Sequence, residues 1–152
     1  MTGPVTDIDF MRLSLHLAAR AATDREVPVG ALVVLGGRVV GEGWNRPVAD
    51  RDPTAHAEIV ALRAAAMQIG NYRLEGAILY ATLEPCAMCV GAALNARVAR
   101  VVFGAWDAKA GACGSVFDLT RDPRVPHRLD VFGGVCSEES SALLRSFFAA
   151  RR

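Results

Sequence analysis

Two short segments of the sequence carry residue types that can bind a metal and move protons. His56-Ala57-Glu58 places an imidazole two positions before a carboxylate, and Pro85-Cys86-Ala87-Met88-Cys89 places two thiols three positions apart. Cysteines at positions i and i+3 share one face of a helical turn, so their sulfur atoms can converge on one point. At a helix N-terminus the helix dipole also lowers thiol pKa values and favours thiolates.

Together the two segments predict a metal site with three protein ligands, His56, Cys86 and Cys89. A structural zinc site takes four protein ligands, whereas three leave a position for water, which is the catalytic arrangement. Residues two apart on a helix point about 200° from each other, so His56 and Glu58 can reach one volume only from a first turn. Glu58 is then placed to take a proton from the water and pass it on as a general acid and base.

Each of these residues has a simpler interpretation when it is taken alone. His56 could be a helix cap or a surface residue, Glu58 could complement the helix dipole, and the cysteine pair could be core or redox-active. The order His-x-Glu followed by Pro-Cys-x-x-Cys favours the metal site over these separate explanations. Cys113 and Cys136 have no partner at ligand spacing and are predicted to be core or loop cysteines.

Length and composition are those of one ordinary globular domain. The 152 residues are 52% hydrophobic and 22% charged, with a net charge of +1. These values exclude an intrinsically disordered chain, and no apolar run reaches the ~18 residues of a membrane span. The balanced charge gives no global attraction to nucleic acid, so polyanion binding requires a local patch. Residues 1–9 lack the basic and apolar regions of a signal peptide, which predicts a cytoplasmic protein.

The elements that must position the two segments alternate between helices and strands, which predicts a sheet covered by helices. Apolar residues at helical spacing mark the helices, and apolar runs bounded by turn residues mark the strands. Gly36-Gly37 predicts a tight hairpin, and Thr54 is the expected N-cap of the helix that carries Glu58. The predicted elements are helices over 8–22, 55–67, 85–95 and 137–148, the last capped by 137–139; strands over 30–35, 77–82, 98–103 and 129–132, with a return strand that begins at 38–41; a polar loop over 43–53; and a glycine-rich stretch over 104–115 that is a loop or a broken helix.

The order His-x-Glu and Pro-Cys-x-x-Cys resembles the signature of the zinc-dependent nucleoside and nucleobase deaminases. Further segments are similar to the bacterial tRNA-specific adenosine deaminases, and together they span the chain from about residue 10 to 150. The similar segments are 26–30, 43–47, 52–58, 71–73, 82–86, 102–104, 107–109 and 147–148. The resemblance implies a three-layer α/β/α cytidine deaminase-like fold with a mixed central sheet of about five strands, formed by a single domain over residues 1–152.

The resemblance also implies a reaction and its participants. The enzyme would convert the wobble adenosine of a tRNA anticodon to inosine, with zinc-activated water attacking C6 of adenine. One Zn²⁺ per chain would be held by His56, Cys86 and Cys89, and Glu58 would shuttle the protons. The expected partners are a tRNA anticodon stem-loop and a second copy of the chain in a homodimer, without a membrane.

The resemblance also assigns residues to the target nucleoside. Asn45 would hydrogen-bond it, and Val29 would help to wall the base pocket. Backbone N–H groups near Pro85-Cys86 and Ala57 would meet the base edge.

Other residues would contact the RNA around the target. Asp107 and Lys109, the only lysine, lie where the family contacts flanking nucleotides. Phe148 and Arg151-Arg152 would lie near the anticodon loop, with core packing as the alternative for Phe148. Trp106 stands where the family suggests a polar residue, and it would stack on a base or pack at the dimer interface. A candidate phosphate patch, with a solvated loop as its alternative, comprises Arg121, Arg124, His127 and Arg128.

Two other functions stay open at the level of sequence. A guanine or cytosine deaminase that acts on free bases or nucleotides could use the same scaffold. A zinc module without activity could keep the three ligands, but a structural site has no use for the carboxylate of Glu58 beside the metal.

Overall fold

Five strands form one mixed sheet in the computed structural model, which describes residues 5–151. The strand order is β2-β1-β3-β4-β5; β1 pairs antiparallel with β2 and β3, whereas β3, β4 and β5 run parallel. This confirms the predicted mixed sheet. The elements are α1 (Asp7–Thr23), β1 (Gly30–Leu35), β2 (Arg38–Trp44), α2 (Ala57–Ile69), β3 (Ile78–Leu83), α3 (Ala87–Asn95), β4 (Arg100–Ala105), β5 (Asp130–Phe132) and α4 (Ser137–Ala149).

Helices cover both faces of the sheet and complete the predicted three layers. Successive strand side chains point to opposite faces, so Val33 and Leu79 pack with α2 and α3, whereas Leu32 and Tyr80 pack with α1. The fourth helix, α4, lies beside α1 and contacts β4. No helix among residues 5–151 is long and apolar enough to cross a membrane.

The parallel pair β3 and β4 places α3 at one edge of the sheet. The chain leaves β3 at Leu83, passes Glu84 and Pro85, and enters α3 before it returns as β4. Such a crossover is the connection that two neighbouring parallel strands require. The first turn of α3 therefore lies at the carboxyl edge of the sheet.

Glycines set the position of α2 against the β1–β2 hairpin. Gly36 and Gly37 have φ angles of +59° and +76°, which suit the tight turn predicted for them. A Cβ atom at Gly41 or Gly43 would collide with the backbone of α2 at Ala61 or Ala57. The first turn of α2 can therefore lie directly against the backbone of β2.

The predicted polar loop is wrong at residues 43 and 44. Gly43 pairs with Ala31 and Trp44 pairs with Gly30, so β2 continues to Trp44. The guanidinium of Arg20 lies 4.2 Å from the centroid of the Trp44 ring and helps to hold it. Glycine at residue 43 thus serves helix packing, not a turn.

The predicted N-cap Thr54 is also wrong. Asp52 Oδ1 accepts hydrogen bonds from Thr54 N at 2.9 Å and from Thr54 Oγ1 at 2.7 Å, so Thr54 belongs to a turn. The helix begins at Ala57 with His56 as its N-cap. Asn45 Oδ1, from the segment after β2, accepts the N–H of Ala57 at 3.2 Å in place of a side-chain cap from His56.

The remaining predicted elements are confirmed to within two residues at each end. Strand β4 continues beyond its predicted end because Ala105 still pairs with Leu83 of β3. The predicted cap of the last helix is wrong by one position, since the N-cap is Cys136 in a left-handed conformation and Ser137 is the first helical residue.

Candidate active site and metal centre

Three side chains meet where the N-termini of α2 and α3 approach each other. His56 is the N-cap of α2, Cys86 is the N-cap of α3, and Cys89 lies in the first turn of α3. His56 Nδ1 lies 3.6 Å from Cys86 Sγ and 3.5 Å from Cys89 Sγ, and the ligand atoms all lie within 4.8 Å of one another.

This geometry fits a zinc ion. Zn–S bonds of about 2.3 Å and Zn–N bonds of about 2.0–2.1 Å in a tetrahedron separate nitrogen and sulfur ligands by about 3.6 Å. The measured separations of 3.5 and 3.6 Å agree with that value. One imidazole and two thiols are also a donor set that zinc prefers. The predicted ligand set is therefore brought together and positioned to hold the ion.

The electrostatics of the three ligands favour a bound cation. The hydrogen bond from Cys89 lowers the pKa of the Cys86 thiol to about 3, with a further contribution from His56. The hydrogen bond to Cys86 raises the pKa of His56. The same sulfur–sulfur contact and burial raise the pKa of Cys89. The lowered pKa favours the thiolate form of Cys86, and a bound dication would ionise the second thiol as well.

Glu58 is buried beside the three ligands and interacts electrostatically with His56, Cys86 and Cys89. It is the second residue of α2 and its exposed fraction is 4%. Burial raises the pKa of Glu58, against the opposing effects of a backbone hydrogen bond and of His56. Because His56 precedes the helix and Glu58 occupies its first turn, both side chains can reach one volume, as the sequence argument required.

Asn45 and Val29 are held together beside the start of α2. Asn45 N donates to the carbonyl of Val29 at 3.1 Å, while Asn45 Oδ1 accepts from Ala57. Val29 is buried, with 5% of its surface exposed. Because Asn45 Oδ1 accepts the hydrogen bond that caps α2, the NH₂ group is the part of this side chain that can still donate.

Of the backbone N–H groups expected at a base edge, that of Ala57 already donates to Asn45 Oδ1. Proline has no N–H, so the group expected near Pro85-Cys86 is the N–H of Cys86; the carbonyl of Pro85 accepts from Ala112 N at 2.8 Å. Contact of these N–H groups with a base stays a prediction, and at Ala57 it would require a shared hydrogen bond.

Asp107 and Lys109 lie on a loop that follows β4, residues 107–115, called here the 107–115 loop. Asp107 is half-buried, and its Oδ1 accepts from Lys109 N at 3.0 Å and from Ala110 N at 3.2 Å. The carboxylate therefore shapes the turn, and the Lys109 side chain is exposed. Their predicted contacts with flanking nucleotides stay predictions.

Glu84 holds this loop in place and was not assigned a role from the sequence. It is 2% exposed and accepts from Asp107 N at 3.0 Å, Cys113 N at 2.9 Å, Ser115 N at 3.1 Å and the Ser115 hydroxyl. Burial alone would raise the pKa of Glu84, but the hydrogen bonds from Ser115, Asp107 and Cys113 outweigh it and lower the pKa.

Glu26 plays a similar part on the other side of the site. It is 2% exposed and accepts the N–H groups of Val48 and Ala49, the latter at 2.8 Å, in the segment that follows Asn45. The sequence feature that could have identified both glutamates is an acidic residue close to the end of an apolar strand. A carboxylate in such a place must be paired if it is buried.

The aromatic residues near the C-terminus divide into a buried and an exposed one. Phe147 is 9% exposed and Phe148 is 50% exposed, with ring centroids 5.3 Å apart in an edge-to-face arrangement. Core packing therefore explains Phe147 but not Phe148. The Arg151 guanidinium lies 3.5 Å from the centroid of the Phe147 ring. Arg152 lies outside the described residues.

Trp106 is 55% exposed and packs edge-to-face on Phe103, with the centroids 4.7 Å apart. Its predicted stacking on a base or packing at a dimer interface stays a prediction, since the exposed part of the ring is available to either.

The candidate phosphate patch is partly neutralised. Arg124 pairs with Asp122 at 2.7 Å, Arg121 lies 3.7 Å from Asp118, and His127 Nε2 lies 2.8 Å from the carbonyl of Val98. These pairings favour the solvated-loop alternative over phosphate binding.

The two other cysteines are confirmed as core and loop residues. Cys113 is buried, and burial raises its pKa to about 12. Cys136 is half-buried before α4. Neither is in the ligand group.

Comparisons with known proteins agree with this centre. The family described as the cytidine and deoxycytidylate deaminase zinc-binding region matches residues 4–105. The chain is 51% identical over 147 residues to the tRNA-specific adenosine deaminase of Haemophilus influenzae, covering 96% of this chain and 85% of that protein.

Solved structures share the fold. One, from a study of A-to-I editing by tRNA:A34 deaminases at the wobble position, has a TM-score of 0.86 at 44% identity and covers 89% of this chain and 98% of its own. A guanine deaminase from Nitrosomonas europaea has a TM-score of 0.78 at 27% identity and covers 98% of this chain and 86% of its own. With His56, Cys86 and Cys89 inside the matched region, the chain belongs to the cytidine and deoxycytidylate deaminase family of zinc-binding enzymes.

Proposed function

We propose that this chain hydrolytically deaminates the wobble adenosine of a tRNA anticodon to inosine. The observation that carries the proposal is the convergence of three zinc ligands and one buried carboxylate in a chain 51% identical to a tRNA-specific adenosine deaminase. In this reaction a water oxygen forms a bond to C6 of adenine, the bond from C6 to the exocyclic nitrogen breaks, and ammonia leaves.

His56, Cys86 and Cys89 would hold a zinc ion, which when bound would act as a Lewis acid and activate water. Glu58 is the proton carrier of the chain. Its buried carboxylate takes a proton from the attacking water and delivers one to the departing amine, so the same group acts as base and then as acid. The reaction consumes no net proton at Glu58, and the residue is ready for the next turnover.

Asn45 and Val29 orient the nucleoside. The hydrogen bond that Asn45 Oδ1 accepts from Ala57 fixes the side chain and leaves its NH₂ group to donate to the substrate. Val29 presents a buried apolar surface that suits one side of a base. A side chain held by a second contact within the protein positions a substrate with little loss of entropy on binding.

The anticodon loop suits this site because its unpaired bases can enter a pocket without opening a duplex. Lys109 provides an exposed cation for a phosphate, and Phe148 provides an exposed ring on which a base can stack. Asp107 shapes the turn on which Lys109 lies.

The decisive experiment is incubation of the purified protein with an anticodon stem-loop that carries adenosine at the wobble position. Mass spectrometry of the digested RNA should detect inosine at that position. A stem-loop with guanosine at the wobble position is the matched control and should remain unchanged. Deamination of free guanine without deamination of the RNA would overturn the proposal and would favour a guanine deaminase of the same fold.

The same assay tests the metal. Dialysis of the protein against a strong chelator should remove activity, and added Zn²⁺ should restore it, with about one zinc per chain. A native chain that is fully active without a bound transition metal would contradict the proposed site.

We also propose that residues 1–152 act as a single deaminase domain, that the enzyme is a cytoplasmic homodimer, and that its reaction is an RNA-editing step. One sheet that includes every described strand supports the single domain. The resemblance to the tRNA-specific adenosine deaminases supports the other statements. Light scattering should give twice the chain mass, and a monomer at working concentration would contradict the dimer.

A further inference from the structure

Glu84 has the geometry of an anchor for the 107–115 loop. Its Oε1 accepts from Asp107 N and from the Ser115 hydroxyl, and its Oε2 accepts from Cys113 N and Ser115 N. Both ends of the loop are therefore fastened to one carboxylate. Hydrogen bonds to a charged acceptor are stronger than those between neutral groups.

Two further contacts bring the loop close to the metal ligands. Ala112 N donates to the carbonyl of Pro85, the residue between Glu84 and Cys86. A Cβ atom on Gly111 would collide with the carboxylate of Glu84, so the loop backbone lies directly on that group. The shape of the loop is thus tied to the segment that enters α3.

We propose that Glu84 is a positioning residue for the RNA substrate, which acts through the 107–115 loop to fix Asp107 and Lys109 beside the entrance to the zinc site. The inference rests on the proposed function for the identity of the substrate as RNA. Burying a charge without partners would be costly. The loop supplies the hydrogen-bond partners of this buried carboxylate, which indicates that the shape of the loop matters.

Glu84→Gln is the sharpest variant. Glutamine keeps the size and shape of the side chain, but its single oxygen can replace only one carboxylate oxygen, and its NH₂ group faces donors of the loop. Ser115→Ala is a milder second variant that removes the hydroxyl contact alone. Tyr80→Phe is the matched control, since Tyr80 lies on β3, the strand that Glu84 follows, is 1% exposed and loses one hydrogen bond, to Asp7 at 2.6 Å.

The first measurement is steady-state deamination of the anticodon stem-loop. For Glu84→Gln we expect KM to rise about tenfold while kcat stays within about twofold, because the loop positions RNA and not the reacting groups. Ser115→Ala should raise KM less, and Tyr80→Phe should leave both constants unchanged. An unchanged KM, or a fall in kcat accompanied by loss of zinc, would overturn the inference.

The second measurement needs no activity. Lys109 is the only lysine, so endoproteinase Lys-C cuts the folded chain only in this loop. Cleavage should be at least about tenfold faster in Glu84→Gln than in the wild type and unchanged in Tyr80→Phe, since loss of the anchor raises the population of open loop conformations. Equal rates in Glu84→Gln and wild type would overturn the anchor.

The two measurements separate this inference from the proposed function. If the wild-type chain does not deaminate RNA, the proposed function fails, and with it the assignment of RNA as the ligand, whereas the cleavage rates still decide whether Glu84 anchors the loop. If the wild type deaminates RNA and cleavage accelerates without a change in KM, the proposed function survives and the positioning role fails.

Discussion

Two buried glutamates flank the metal ligands and behave in opposite ways. Glu58 is 4% exposed and Glu84 is 2% exposed, so both residues are buried. Burial raises the pKa of Glu58, whereas the hydrogen bonds from the 107–115 loop outweigh burial and lower the pKa of Glu84. The balance between desolvation and hydrogen-bond donors therefore differs at the two carboxyl groups: desolvation dominates at Glu58, and the donors of the loop dominate at Glu84.

The largest expected effect is on catalysis at Glu58. Glu58→Gln should lower kcat at least about 100-fold, since amide nitrogen and oxygen cannot carry the proton. The melting temperature should not fall, because a neutral side chain relieves the cost of burying the carboxylate. Inosine formation, zinc content and calorimetry on one preparation check this result. Loss of zinc together with activity would instead make Glu58 a ligand.

A smaller effect is expected on stability at Glu84. Glu84→Gln should lower the free energy of unfolding by about 1–3 kcal/mol, because N–H groups of Cys113 or Asp107 lose their acceptor in a buried place. Urea unfolding of the zinc-loaded protein measures it, with Glu58→Gln in the same series. A greater loss of stability in Glu58→Gln than in Glu84→Gln would reverse the comparison.

The contact between Gly111 and Glu84 offers a test that leaves the carboxylate intact. Gly111→Ala should destabilise by about 1–3 kcal/mol, because the added methyl group forces the loop away from Glu84. Gly91→Ala is the matched control: no atom lies within 4 Å of its added Cβ, and alanine in the helix interior should stabilise by about 0.5–1 kcal/mol. Opposite shifts in melting temperature are expected, and a neutral Gly111→Ala would show that the loop yields freely.

The smallest effect is expected at Asp122, an acidic residue that is hydrogen-bonded but solvated. Hydrogen bonds from Arg124 lower the pKa of Asp122 to about 2. The pair contributes stability above the usual pKa of aspartate and loses it as the pH falls through about 2. Asp122→Asn should leave the unfolding midpoint nearly unchanged at neutral pH, and an NMR titration should give the lowered pKa. If Asp122→Asn lost as much stability as Glu84→Gln, burial would not be the reason for the larger effect expected at Glu84.

The metal ligands could be predicted from the sequence because coordination demands particular residue types at short spacing. His56, Cys86 and Cys89 satisfy that demand within two local segments, and the alternation of helices and strands supplied the fold class. The contacts that position these ligands, in contrast, join residues that are far apart in the sequence. Glu84 meets donors 23 to 31 residues away, and no periodicity in the sequence reports such pairings.

The N-terminus of α2 shows the same limit on a smaller scale. Thr54 has the residue type of a cap, but Asp52 binds it in a turn, and Asn45 provides the cap from twelve residues upstream. Likewise, glycine at residue 43 is a residue type typical of loops, yet Gly43 lies in a strand because α2 must pass close to its backbone. In each case a tertiary contact overrides the local preference.

Because α2 lies directly on the backbone of β2, substitutions in the strand can do little to adjust the position of this helix. Gly41 and Gly43 leave no side chain between strand and helix that could be trimmed or enlarged to shift the helix. Laboratory evolution toward new nucleobases or nucleic acids should therefore accumulate substitutions in the loops around the metal ligands, while this glycine pair remains fixed across every active lineage.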